Sequence, residues 1–256
     1  MSKHRILILG GTTEARHLAG ALASRRDCDP TLSLAGRTAD PMSQPVPVRS
    51  GGFGGSDGLA AFLRQEHFDL LIDATHPFAT RISDNALVAA KQAGIPCFAL
   101  CRPAWEPMPG DRWTGVASVA EAVAVLGDAP RRVFLAIGRQ EVSHFQNAPQ
   151  HAYIIRSVDA VVPPLAVPDT CYILATGPFG EEAEKQLLTA HRIDVIVAKN
   201  SGGSATYGKI AAARKLGLPV IMVERRRPAG IRTVQTVDEA LDLLDHIVSP
   251  DMKRGV

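Results

Sequence analysis

The sequence predicts an α/β protein made of two similar, doubly wound parallel-sheet halves, on three observations. Short aliphatic runs alternate with longer helical stretches, the pattern of strand–helix–strand units. Two of those runs, over residues 5–9 and 195–198, stop at loops shaped like phosphate loops: Gly10-Gly11-Thr12-Thr13-Glu14-Ala15 and Lys199-Asn200-Ser201-Gly202-Gly203-Ser204. Between them, Arg102-Pro103-Ala104-Trp105-Glu106-Pro107-Met108-Pro109-Gly110 carries three prolines and a glycine, which excludes a regular helix and argues against a central strand. The expected division is a first domain over 1–102, a connection over 103–113 and a second domain over 114–256. The halves do not match in sequence well enough to form a repeat.

In the first half, aliphatic runs predict strands near 5–9, 31–35, 45–48, 70–74 and 96–100. Helices are expected near 13–24, 56–65 and 78–93, the last stopped by Gly94. In the second half, Ser118-Val119-Ala120-Glu121 is a capping box opening a helix to Leu126. Strands are expected near 132–137, 153–156, 172–175, 194–198 and 219–223, and helices near 140–145, 178–191 and 207–216. Pro178 suits the first turn of its helix. A second capping box, Thr236-Val237-Asp238-Glu239, opens the last helix, to about Val248.

Composition bounds the function. The 256 residues are 46% hydrophobic and only 5% aromatic, so the expected core is aliphatic. Basic and acidic residues number 28 and 26, a balance that argues against a nucleic-acid-binding protein. Of the four cysteines, Cys97 and Cys101 flank an apolar run and have no second Cys or His pair, so they read as strand thiols rather than metal ligands, and no metal is expected. No secretory pattern and no membrane-spanning run is present, which makes the cytoplasm the expected location and a membrane partner unexpected.

The first-half loops point to a nucleotide. Glycines at a strand end allow close backbone approach, and the hydroxyls of Thr12 and Thr13 can donate to phosphate; the full G-x-G-x-x-G fingerprint is absent, so a plain strand-to-helix turn stays open. The second strand ends in Gly36-Arg37-Thr38. An arginine there suits the 2′-phosphate of NADP, where an acid would suit NAD; a solvated arginine is the alternative. The fourth strand delivers Asp73-Ala74-Thr75-His76-Pro77-Phe78-Ala79 to the same edge. Thr75, His76 and Pro77 are placed along the cofactor, with His76 either a proton donor or a loop hydrogen-bonder and Asp73 an N-cap or brace. The loop Arg49-Ser50-Gly51-Gly52-Phe53-Gly54-Gly55 either folds over a cofactor or is a linker.

The second half reads as an anion site of different chemistry. Its strand ends carry Gly138-Arg139-Gln140-Glu141, Arg156-Ser157, Thr176-Gly177-Pro178-Phe179 and Lys199 to Gly203, followed by Lys209. Strand ends share one edge of a parallel sheet, so Arg139, Arg156, Lys199, Lys209, Ser157, Thr176, Asn200 and Ser201, with the backbone of Gly138, Gly177, Gly202 and Gly203, are expected to converge. That set suits a ligand bearing several carboxylates or phosphates. Arg225-Arg226-Arg227 abuts a proline and is read as solvated.

These motifs together resemble the precorrin-6A reductase family of cobalamin biosynthesis, over nearly the whole chain. The resemblance rests on residues 10–15, 73–79, Gly138-Arg139, residues 175–179, and Lys199-Asn200-Ser201-Gly202 with Lys209; the tail beyond His246 adds nothing to it. It implies two Rossmann-like domains with a cleft between them, and hydride transfer from NADPH to precorrin-6A to give precorrin-6B. The bond reduced lies between C18 and C19, with hydride delivered to C19. The implied substrate is a polycarboxylate macrocycle, in keeping with the cation-rich second half. NADPH is then expected on Gly10, Gly11, Thr12, Thr13, Glu14, Arg37, Thr75, His76 and Pro77. No catalytic residue is assigned; solvent, His76 and Lys209 stand as proton sources.

Rival readings are separable. A short-chain dehydrogenase needs Tyr-x-x-x-Lys, whereas Tyr207 and Lys209 are two apart and do not share a helical face. A non-catalytic dinucleotide sensor leaves the second-half cations unexplained. A sugar-nucleotide transferase binds a nucleotide sugar in place of NADPH.

Overall fold

The computed structural model describes residues 3–36, 43–226 and 230–248. Two compact units emerge: one of residues 1–103 with 226–256, the other of residues 104–225.

The first unit carries a six-stranded sheet of order β12-β5-β4-β1-β2-β3, every pairing parallel. Its strands are β1 (His4–Leu9), β2 (Cys28–Leu34), β3 (Val48–Ser50), β4 (Leu70–Asp73), β5 (Cys97–Leu100) and β12 (Arg232–Val234). Helices α1 (Thr13–Ala23), α2 (Ser56–Gln65), α3 (Thr80–Ala93) and α7 (Val237–Val248) cover it. Successive strand residues face opposite sides, so β1 feeds two cores. Ile6 and Ile8 join Leu18, Leu22, Leu243 and Leu244 under α1 and α7. Leu7 and Leu9 join Leu59, Leu63, Ala86 and Ala89 under α2 and α3.

The second unit repeats the plan, in the order β6-β11-β10-β7-β8-β9, again parallel throughout. Its strands are β6 (Trp113–Val116), β7 (Arg132–Ala136), β8 (Ala152–Ser157), β9 (Thr170–Leu174), β10 (Val195–Lys199) and β11 (Val220–Val223). Helices α4 (Val119–Leu126), α5 (Glu181–Ala190) and α6 (Gly208–Leu216) and a 3-10 helix (Arg139–Asn147) complete it. Phe134, Ile154, Ile196, Ile210, Val220 and Met222 form its α5–α6 core. Among the described residues, no helix is long and apolar enough to cross a membrane.

The expected doubly wound parallel α/β class is met in both halves, and both sheets are Rossmann-like. Five expectations need correction. The carboxy-terminal boundary is misplaced, because β12 pairs with β5 and α7 packs into the first unit's core. The two units thus exchange their sixth strands: β6 follows β5 in the chain yet pairs with β11 in the other sheet. The segment 103–113 is more than a connection, since Trp105 is buried in the second unit's core. β3 begins at Val48, after the prolines at 45 and 47 that lack a donor for the ladder. Pro178 precedes its helix, which starts at Glu181; the Gly177–Pro178 peptide is cis, and Phe179 N–H is committed to the Ala205 carbonyl. The expected helix at 140–145 is a 3-10 helix.

Candidate functional site

In an open parallel sheet, ligands meet the carboxyl ends of the strands where the strand order reverses. In the first sheet that point lies between β1 and β4. The loop after β1 is set by Thr12, the N-cap of α1, whose Oγ1 accepts from Ala15 N–H at 3.1 Å and donates to the Ala74 carbonyl at 2.9 Å. One hydroxyl thereby joins the two strand ends. Its proton is already committed, which corrects the expectation that Thr12 donates to phosphate; Thr13 beside it is exposed. Gly10 is half-buried, and Gly11 is exposed with φ +116°, a conformation that favours glycine; a Cβ there meets nothing within 4 Å. Open space above a bare backbone, at the amino end of a capped helix, fits the pyrophosphate of a dinucleotide.

Glu14, in the first turn of α1, forms an ion pair with Arg102 at the end of β5. Its carboxylate therefore faces the end of β5, two strands from β1 in the sheet. At the end of β4, buried Asp73 braces the loop: Oδ1 accepts from Thr75 N–H at 3.1 Å and from Thr75 Oγ1 at 2.7 Å. His76 Nδ1 accepts from Phe78 N–H at 3.3 Å, which leaves its proton on Nε2 in the neutral ring. Thr75, His76 and Pro77 are all half-buried along this edge. The glycine loop after β3 is folded on Arg49, which donates to the Gly51 and Gly52 carbonyls at 2.6 and 2.9 Å and lies 3.8 Å over the Phe53 ring. Arg37 lies outside the described residues.

The reversal in the second sheet lies between β7 and β10, and there the two expected loops meet. Gly138 and Arg139 leave β7; Lys199 leaves β10, and its Nζ pairs with Glu141 Oε2 at 2.6 Å. Arg139 lies 3.7 Å from Asp159, whose carbonyl accepts from Ser157 Oγ at 2.6 Å. Thr176 and Gly177 are exposed at the end of β9.

The glycine loop after β10 is held from beneath. Asn200 is buried and grips the Trp105 backbone twice, Oδ1 accepting from its N–H at 2.8 Å and Nδ2 donating to its carbonyl at 3.0 Å. The Trp105 indole N–H donates to the Gly203 carbonyl at 2.8 Å. Ser201 Oγ lies 3.4 Å from Thr206 Oγ1, and Gly202 is buried beside it. Gly208 closes the loop against α5: a Cβ there would stand 2.4 Å from the Phe179 carbonyl.

Two of the expected ligand cations are inside the fold. Arg156 is buried and paired in bidentate fashion with Glu184, one contact at 2.9 Å, and its guanidinium lies 3.7 Å over the Phe179 ring. Such a guanidinium is spoken for, because an unpaired buried charge is costly. Lys209 is buried too; Nζ donates to the Thr206 carbonyl and lies 4.9 Å from the Trp105 ring. Burial pushes its ammonium from 10.5 down to about 7, Arg156 adds to the shift and Glu184 opposes it. The exposed ends of the set are thus Gly138, Arg139, Thr176 and Gly177, with Lys199 and Gly203 half-buried.

Sequence reasoning missed Trp105, Glu184 and Arg102. Trp105, one of two tryptophans and set among prolines, was the available signal; Glu184 was hidden in an acidic first turn of α5 with Glu181 and Glu182.

Residues 5–245 match the family model described as Precorrin-6x reductase CbiJ/CobK. The chain is 65% identical over 250 residues to a precorrin-6A reductase of Sinorhizobium sp, covering 98% of this chain and 96% of that one. It is 46% identical to a precorrin-6A reductase of Rhodobacter capsulatus, covering 98% and 99%. A solved structure titled CobK precorrin-6A reductase superposes with a TM-score of 0.92 at 44% identity, over 99% of this chain and all of that one. The chain belongs to the precorrin-6x reductase family and is an oxidoreductase of cobalamin biosynthesis, whose Rossmann-like fold implies a nicotinamide cofactor.

Proposed function

We propose that this chain reduces precorrin-6A to precorrin-6B with NADPH, the first unit holding the dinucleotide and the second the polycarboxylate ring. The observation that carries the reading is 65% identity, over almost the full length of both chains, to a precorrin-6A reductase. The nicotinamide, when bound, supplies the hydride. The chain's own residues bind and orient. Gly10, Gly11 and Thr13 present backbone and hydroxyl to the pyrophosphate, while Thr12 and the Glu14–Arg102 pair fix the shape of that loop. Arg37 meets the 2′-phosphate, and Thr75, His76 and Pro77 line the nicotinamide side. In the second unit, Arg139, Lys199, Thr176 and the 199–203 loop hold ring carboxylates. Arg156 and Lys209 act from beneath, as supports of Phe179 and the glycine loop. The protein's contribution is therefore placement of two large ligands. The fold class carries no membrane or nucleic-acid role in this reading, and the enzyme works in the cytoplasm.

The test is oxidation of NADPH by the purified chain with precorrin-6A, followed by loss of reduced-nicotinamide absorbance. Turnover supports the reading; dinucleotide binding without turnover supports a sensor instead. Arg37→Ala is expected to weaken NADPH about tenfold and NADH hardly at all, as loss of one charge-assisted contact implies. Equal losses for both cofactors remove Arg37 from the 2′-phosphate.

A further inference from the structure

The carboxyl ends of β7 and β8 bound a pocket of about 270 Å³. One wall is the 3-10 helix, with Arg139, Ser143 and Gln146; the other is the loop of residues 160–165, Ala-Val-Val-Pro-Pro-Leu. That loop is pinned at both ends. Before it, Ser157 Oγ donates to the Asp159 carbonyl at 2.6 Å. After it, Leu165 is buried, and its N–H donates to the Tyr172 hydroxyl at 2.7 Å. Between these anchors Val162 is 84% exposed. A single exposed valine is ordinary on a protein surface. Here it stands on an anchored loop with Val161 and Pro164 beside it, at the sheet edge where ligands bind, across from Arg139, whose guanidinium lies 3.7 Å from Asp159. Apolar wall plus cation is the complement of a ligand that is both alkyl-decorated and anionic.

Size decides how much of such a ligand enters. Sites that enclose a drug-sized molecule run to roughly 300–1,000 Å³. This pocket lies just below that range, so it takes one edge of a large ring and leaves the rest outside.

We propose that this pocket seats one edge of the polycarboxylate macrocycle, its alkyl face on Val161, Val162 and Pro164 and one carboxylate on Arg139. The inference rests on the assignment of the ring to the second unit, and it adds a specificity wall that the strand-end motifs do not contain. Val162→Asp tests it. The position is exposed, so the fold tolerates the change, and thermal melting checks that it does. A carboxylate there replaces apolar contact by repulsion of the ring's own acids. The Michaelis constant for precorrin-6A is expected to rise about tenfold, with the NADPH dissociation constant unchanged. An unchanged Michaelis constant in Val162→Asp, beside an active wild type, overturns the pocket and leaves the reductase reading standing. Equal loss of NADPH affinity also overturns it. A wild-type chain that neither binds nor reduces precorrin-6A overturns both.

Discussion

The two units solve the same topological problem with different materials. Each places a loop after its central strand at the point where the strand order reverses, β1 beside β4 and β7 beside β10. At the first edge the loop is mostly backbone: Gly10, Gly11 and a capping threonine that ties Ala74. At the second, the loops are tied by side-chain ions and an indole: Lys199 with Glu141, Arg156 with Glu184, Lys209 under Thr206, Trp105 under Gly203. A linear diphosphate is matched by helix amides and needs few side chains. On the proposed reading a broad polyacid meets separated cations, Arg139 and Lys199, while the buried Arg156–Glu184 pair and Lys209 support the loops that carry them. The contrast suggests that the first edge is sensitive to backbone changes and the second to charge changes.

The largest effect should come from Glu184→Ala. Removing the carboxylate strands a buried guanidinium, a loss of about 3–5 kcal/mol of stability. Urea unfolding measures it, and a loss below about 1 kcal/mol would show that Arg156 finds solvent or another partner. Gly11→Val comes next. The residue forces a side chain onto a backbone at φ +116° and fills the space above the loop, so NADPH affinity should fall on the order of fifty-fold, about 2.3 kcal/mol, while ring affinity holds. Cofactor titration checks it, and unchanged affinity would move the dinucleotide away from this loop.

An effect of similar size is a pH slope from Lys209. Its ammonium titrates at about 7 in the fold against 10.5 for the free side chain, so between those values the unfolded chain binds the extra proton. Stability must then rise with pH over that window. Two thiols, buried Cys28 and half-buried Cys97, act in the opposite sense only above their unperturbed value of 9.0, because desolvation pushes Cys28 to about 11 and Cys97 to about 12. From pH 7 to 9 the wild type should therefore gain stability, and Lys209→Met should flatten the gain. Unfolding curves at the two pH values decide it; an identical slope in the variant would place the titration elsewhere.

Much of the frame was legible because burial writes itself into sequence. The uninterrupted runs of β1 and β4 gave both strands, and α2 runs from Ser56 to Gln65, as its pattern predicts. The strands that were missed, β6 and β12, are edge strands in which only Val116 and Val234 are buried, so no apolar run announces them. The site divides in the same way. Loops such as Gly138-Arg139 and Lys199 to Gly203 are local signals, a glycine or cation directly after a strand. The Trp105–Asn200 contact joins residues 95 apart, and the Arg156–Glu184 pair joins residues 28 apart. Such pairs are set by tertiary packing, and a chain read in one dimension shows Arg156 and Asn200 as strand-end ligand groups without the partners that commit them.

The exchange of sixth strands has a consequence for how the molecule comes into being. On a ribosome the amino-terminal unit is the first to emerge and the last to be finished. Its edge strand β12 and the helix that seals Ile6, Leu18 and Phe98 are encoded after the whole of the second unit. Until those residues leave the exit tunnel, β5 waits with an open flank while the whole of the second unit is made.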